Sequence, residues 1–119
     1  MGEYNKIILL GNLTRDPDLR YTPTGTPICE FPLAVQHRYR VGDEHKEEVC
    51  FIDIVVFGKA GEHSKNYLHK GAQVLVDGRL AQRRWDSPEG KPKSKYEVVA
   101  NTVQFLDRSG AGSSEPDKK

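Results

Sequence analysis

The stretch VCFIDIVVFGKAGEHSKNYLHKGAQVLVDGRL, residues 49–80, decides the fold. It opens on alternation. Cys50, Ile52, Ile54 and Val56 are uniformly apolar, and Val49, Phe51, Asp53, Val55 and Phe57 interleave with them. Successive side chains of a strand point to opposite faces, so the first set predicts a core face. The second, two phenylalanines beside an aspartate, predicts an outer one. Gly58 ends this strand. Residues 59–70 change period, with Ala60, His63, Tyr67 and Leu68 at helical spacing. Lys70-Gly71 then supplies a late cation and the residue that helix C-termini prefer. From residue 72 the period returns to two, with Val74, Val76, Gly78 and Leu80 on one face and Gly78 marking a bend.

The flanks complete the pattern. Ile7-Ile8-Leu9-Leu10 predicts a strand over residues 4–13, buried on much of both faces. Asp16-Pro17 and Thr22-Pro23-Thr24-Gly25 mark a loop with two turns. Residues 27–37 alternate, with Cys29, Phe31, Leu33 and Val35 on one face. Pro32 inside that run lacks an N–H and requires a bulge or an unpaired edge position. Residues 39–48 are polar, and Val41-Gly42-Asp43-Glu44 reads as a hairpin loop longer than a two-residue turn. Ser87-Pro88-Glu89-Gly90 makes the turn between a strand over 72–85 and a last strand over 95–106.

Three strands, one helix and two strands are the plan of an all-β oligonucleotide-binding (OB) fold. This is a five-stranded Greek-key barrel with its helix between the third and fourth strands. The hairpin of the last two strands, tipped near residues 85–95, outruns a small barrel and is expected to project as an arm. Residues 1–106 are read as one OB domain. Residues 107–119, rich in Gly, Ser, Pro and charge, are read as a disordered tail.

Composition excludes several classes. A chain of 119 residues, 36% apolar and 29% charged, fits one soluble domain. No apolar run approaches the roughly 20 residues of a membrane span. The first residues lack the apolar stretch of a signal peptide, which makes the cytoplasm the expected location. Cys29 and Cys50 both lie in apolar alternation and predict buried thiols. His37, His45, His63 and His69 have no metal-site spacing with either, so neither a metal nor another cofactor is expected. No nucleophile–base–acid set or phosphate-binding glycine loop is discernible, and a non-enzymatic role follows.

What remains is a pairing of rings with cations. Tyr39 lies between Arg38 and Arg40, Phe51 and Phe57 follow Lys46 and precede Lys59, and Trp85 follows Arg83-Arg84. A base stacked on a ring is worth about 1–3 kcal/mol whatever the base, and nearby cations neutralise phosphates. The formal net charge is only +1, so phosphate binding needs uneven distribution. Residues 82–95 provide it, with Arg83, Arg84, Lys91, Lys93 and Lys95 against Asp86 and Glu89. Lys6, Arg15, Arg20, Lys46, Lys59 and Lys70 are further backbone-contact candidates. Each of these residues has a plainer reading: phenylalanines on strands are usually core, a lone lysine is usually solvated, and Trp85 could cap the barrel end or form an oligomer contact. Together they point to single-stranded nucleic acid held without reading its sequence. The competing readings are a primosome-type OB accessory protein acting mainly through protein–protein assembly, an RNA-binding OB domain, and a small nuclease.

Several segments, in order and at matching spacing over residues 4–106, closely resemble the bacterial single-stranded DNA-binding (SSB) family. They are Asn5-Lys6-Ile7-Ile8-Leu9-Leu10-Gly11-Asn12-Leu13, Asp16-Pro17-Asp18-Leu19-Arg20-Tyr21-Thr22-Pro23-Thr24-Gly25, Val55-Val56-Phe57-Gly58-Lys59, Tyr67-Leu68-His69-Lys70-Gly71, and Val76-Asp77-Gly78-Arg79-Leu80 through Arg84-Trp85. The resemblance implies an OB-fold homotetramer that wraps single-stranded DNA in replication, recombination and repair, in the bacterial cytoplasm with the nucleoid. It implies base stacking on Tyr39, Phe51, Phe57 and Trp85, and phosphate contacts from Lys6, Arg20, Lys59, Lys70, Arg83 and Arg84. Tyr39 and Phe51 stand where many members carry tryptophan, so weaker stacking is expected there. Asp53 stands where relatives often carry a basic residue, which predicts local repulsion of phosphate. Members typically end in an acidic tail tipped by Pro-Phe that recruits replication and repair proteins. This sequence ends Ser114-Glu115-Pro116-Asp117-Lys118-Lys119: either that tail has been removed, or this member does not recruit replication and repair proteins that way.

Overall fold

The computed structural model describes residues 2–106; the predicted disordered tail lies outside the described residues. Six strands and one helix follow in the order β1 (Ile7–Leu13), β2 (Asp18–Tyr21), β3 (Pro27–Val41), β4 (Glu44–Phe57), α1 (Lys59–Tyr67), β5 (Gln73–Asp86) and β6 (Pro92–Phe105). The sheet runs β1-β5-β6-β4-β3-β2, and a β1–β3 pairing closes it. Five strands therefore form the barrel, and β2 flanks it on β3. All pairings are antiparallel except β4 with β6, where Asp53 faces Glu97 and Ile54 faces Val98. The five-stranded barrel with one helix after its third barrel strand is the architecture the alternation predicts.

The barrel core holds Leu13, Cys29, Phe31, Leu33, Ile54, Val56, Val74, Val76 and Val98. These residues share strand parity, so the period-two reading identifies them directly. At Gly78 the β5–β6 register shifts, with Asp77 opposite Thr102 and Gly78 opposite Ala100. A Cβ on Gly78 would lie 2.2 Å from the Val99 carbonyl oxygen, so the bend needs glycine. Pro32 does not break its strand: the β3–β4 register passes through Pro32↔Asp53 without interruption. Its carbonyl accepts from the Thr14 N–H at 3.1 Å, in the gap between the β1 and β2 pairings. A strand residue points its nitrogen to the same side as its carbonyl, so the missing N–H falls in that gap and no ladder bond is lost.

Four expectations are corrected. First, β1 starts at Ile7 and is not buried on both faces: Ile8 and Leu10 are exposed. Second, the expected loop after β1 contains β2, which pairs Asp18–Tyr21 with the start of β3. Third, the polar run 39–48 is no loop. β3 and β4 stay paired to Val41↔Glu44 across the two-residue turn Gly42-Asp43, with Gly42 at φ 60°. Both faces of this ribbon are in water beyond the barrel, so it carries no apolar alternation and its strands are silent in the sequence. The molecule thus has two arms, this one and the β5–β6 hairpin, which pairs out to Asp86↔Pro92. The last strand accordingly starts at Pro92, before the expected residue 95.

Fourth, α1 ends at Tyr67 and packs through Gly61 and Ser64, while Ala60, His63 and Tyr67 are exposed; the expected Leu68 is buried at the helix C-cap. The contact selects for smallness. A Cβ on Gly61 would meet the Val56 carbonyl oxygen at 2.5 Å, and Ser64 satisfies its hydroxyl by donating to the Ala60 carbonyl at 2.8 Å. A search for large apolar residues therefore picks the wrong helix face.

Candidate nucleic-acid interface

Register assigns the rings to faces. On β4 the side opposite the core carries Phe51, Asp53, Val55 and Phe57. The parallel pairing of β4 with β6 adds Glu97 and Val99 to that side, and the β5–β6 register adds Ala81 opposite Glu97, Arg83 opposite Lys95 and Trp85 opposite Lys93. Phe51, Phe57 and Trp85 thus belong to one outer face, and they remain 69%, 47% and 45% exposed. Val55, expected outside, shares the parity but is buried. Cys50, expected inside, shares the core parity but is exposed, because by that residue β4 has left the barrel.

Tyr39 is exposed but has the parity of Phe31 and Leu33, so it lies on the other face of the β3–β4 ribbon. It stacks on His37, with centroids 5.7 Å apart and ring planes at 15°. A shallow groove there is lined by Arg38, Tyr39, Arg40, His45, Lys46 and Glu47. A second groove, on the other arm, is lined by Arg84, Trp85, Asp86, Pro92, Lys93 and Ser94. Both predicted arm rings therefore sit in clefts with excess positive charge.

The six predicted phosphate contacts divide into two groups. Lys6 donates to both oxygens of Asp77 at 2.9 and 3.0 Å, and this hydrogen bond raises its pKa. Arg20 pairs with Glu30, which raises its pKa likewise. Arg83 Nε lies 3.8 Å from Glu97 Oε1. By contrast, Lys59, Lys70 and Arg84 have no ion pair among the described residues; Arg84 donates to Gln82 Oε1 at 2.7 Å. The Asp53 carboxylate is paired with Lys95, so its charge is already offset. Of the other candidates, Arg15 approaches Asp18 at 3.9 Å and Lys46 approaches Glu44 at 3.2 Å.

Sequence reasoning missed His37 and Glu97, and it counted Lys95 among the cations of residues 82–95 without its pairing to Asp53. A histidine two residues before a tyrosine shares its face only where both lie on one strand, and the alternation ends at His37, so Tyr39 reads as a loop residue. The cross-strand partners of Lys95 and Glu97 depend on register, which no local pattern reports. Among the described residues no group of three or more His, Cys, Asp or Glu is placed to hold a metal ion. No helix among them is long and apolar enough to cross a membrane.

Comparison with known proteins follows the same lines. The model of the single-strand binding protein family matches residues 4–106. The single-stranded DNA-binding protein of Wolinella succinogenes is 42% identical over 109 residues, covering 91% of this chain and 67% of that protein. That of Treponema pallidum is 46% identical over 106 residues, covering 89% and 60%. That of Thermotoga maritima is 45% identical over 112 residues, covering 93% and 79%. Among solved structures, the Plasmodium falciparum SSB complex with ssDNA superposes with a TM-score of 0.82 at 29% identity, covering 90% of this chain and 98% of that one.

Proposed function

The chain belongs to the single-strand binding protein family, and on that premise we propose that it binds single-stranded DNA regardless of sequence and coats exposed strands in replication, recombination and repair. One observation carries the reading: Phe51, Phe57 and Trp85 stand open to solvent on one sheet face, flanked by cations. Flat rings displayed together on a surface mark a place where a partner covers them. Bases stack on these rings and on Tyr39. Every base has a π-face, so the work is indifferent to sequence.

Phosphates go to Lys59, Lys70 and Arg84, the three of the six predicted contacts that have no carboxylate partner among the described residues. Lys6 and Arg20 join where a phosphate displaces Asp77 or Glu30. A strand that reaches Tyr39 as well as the outer-face rings passes around the edge of the β3–β4 arm, which suits wrapping better than lying flat. Nothing in this scheme needs a cofactor or a bond-breaking step. The cytoplasm of a bacterium, with the nucleoid, is the setting it fits.

We also propose the homotetramer implied by the family. β1 pairs with β5 from Ile7 to Asn12 but with β3 only at Asn12 and Leu13. Among the described residues the other edge of Ile7 to Leu10 is therefore unpaired, beside the exposed Ile8 and Leu10 side chains. An open edge with apolar neighbours invites strand pairing with another copy. Sedimentation of the free chain at four times its monomer mass supports this, and a monomer refutes it.

The central test is titration with oligo-dT at several salt concentrations. Three phosphates neutralised per chain give a slope of log affinity against log salt of about −2. A flat line refutes the electrostatic part. Absence of binding at low salt refutes the function.

A further inference from the structure

We infer that Glu97 is a positioning residue for the Trp85 stacking platform, and that Arg83 works against that ring rather than on a phosphate; the inference rests on the binding function proposed above. Glu97 lies on the outer sheet face yet is only 8% exposed. Its Oε1 is buried and accepts no hydrogen bond among the described residues. A desolvated carboxylate is costly unless a cation faces it. The neighbouring cations are committed elsewhere, Lys95 to Asp53 and Arg20 to Glu30. Arg83 remains, with Nε 3.8 Å from Oε1, one small side-chain adjustment from a hydrogen bond.

The same guanidinium lies 5.6 Å from the centroid of the Trp85 ring. Glu97, Arg83 and Trp85 share the outer face by register, so they form a relay: carboxylate, cation, ring. Moving Arg83 to a phosphate would strip a buried carboxylate of its nearest counter-charge. Leaving it in place keeps that pair and holds the guanidinium where cation–π attraction restrains the indole. A restrained ring loses less freedom when a base stacks on it. Trp85 is 45% exposed, so surface remains for the base.

The chain has one tryptophan, hence one indole N–H resonance. The variants are Glu97→Gln, which keeps the side-chain shape, Arg83→Gln, and the double variant. In the free protein both single substitutions are expected to shift the indole resonance, and the double variant to shift it no further than Arg83→Gln. Arg83→Lys, which keeps the charge but not the plane, shifts it too. Affinity of the double variant for oligo-dT falls about 2- to 5-fold, while its salt slope stays that of the unmodified chain. A slope shallower by about 0.7 in the double variant puts Arg83 on a phosphate and overturns the inference. An unmoved indole resonance in Glu97→Gln overturns it as well. If the unmodified chain fails to bind oligo-dT, the proposed function falls, and the free-protein resonances still decide whether Glu97 acts on Trp85 through Arg83.

Discussion

Replacing Phe51 by alanine separates binding from folding. The side chain is 69% exposed on the outer face, opposite Ala34, so truncation removes little buried surface. Folding stability is expected to change by no more than about 0.5 kcal/mol, as for most surface positions. If a base stacks on the ring, its loss costs about 1–3 kcal/mol of binding, which is about 5- to 140-fold in Kd at 1.4 kcal/mol per decade. Phe51 carries no charge, so the factor is the same at every salt concentration. The assay is anisotropy of labelled oligo-dT across a salt series, beside thermal melts. Two parallel lines on the log–log plot, with coincident melts, are the expected outcome. A Kd within about twofold of the unmodified chain refutes stacking at this position. Phe31 is the matched control: it is 1% exposed in the core, and Phe31→Ala should cost about 3–5 kcal/mol of stability.

Two further predictions concern charge and burial. Asp53→Asn frees Lys95 from its ion pair. Affinity for oligo-dT should then rise, with the salt slope steeper by about 0.7, and unchanged titrations would count against competition between carboxylate and phosphate on this face. Cys29 is buried and its thiol is pushed up to about 11 from 9.0 by desolvation, whereas Cys50 is exposed. One thiol per native chain should react with a disulfide reagent, and two after unfolding. The folded state holds the Cys29 proton more tightly than the unfolded state, so this stability contribution is complete below pH 9 and is lost as pH rises through about 11. Melts of Cys29→Ala should lack that alkaline decline. Two fast native thiols, or identical pH profiles for the two proteins, would contradict the buried assignment.

Much of the fold was legible because burial on one side imposes a period. Residues 27–37, 49–57 and 72–80 alternate since one face of each strand meets the core, and the break of period at residue 59 locates the helix. The helix face was not legible, because close packing on Val56 requires the smallest side chains and Gly61 and Ser64 carry no apolar signal. The β3–β4 arm was illegible for the opposite reason: water bathes both its faces and imposes no pattern. Cys50 shows the boundary between the two regimes. Its parity follows from sequence, but whether that parity means burial depends on where the barrel ends.

The candidate site divides the same way. Sequence by itself determined which residues are rings and cations and placed Phe51, Phe57 and Trp85 on strands, since composition and alternation are local; Arg20 and Tyr39, read as loop residues, lie on β2 and β3. Tertiary structure decided that Tyr39 lies across the ribbon from Phe51 and Phe57, and that Lys6 and Arg83 face Asp77 and Glu97. Those partners are distant in the chain. Register alone sets which of them meet, and it is fixed by the summed fit of a whole barrel rather than by any one residue's neighbours.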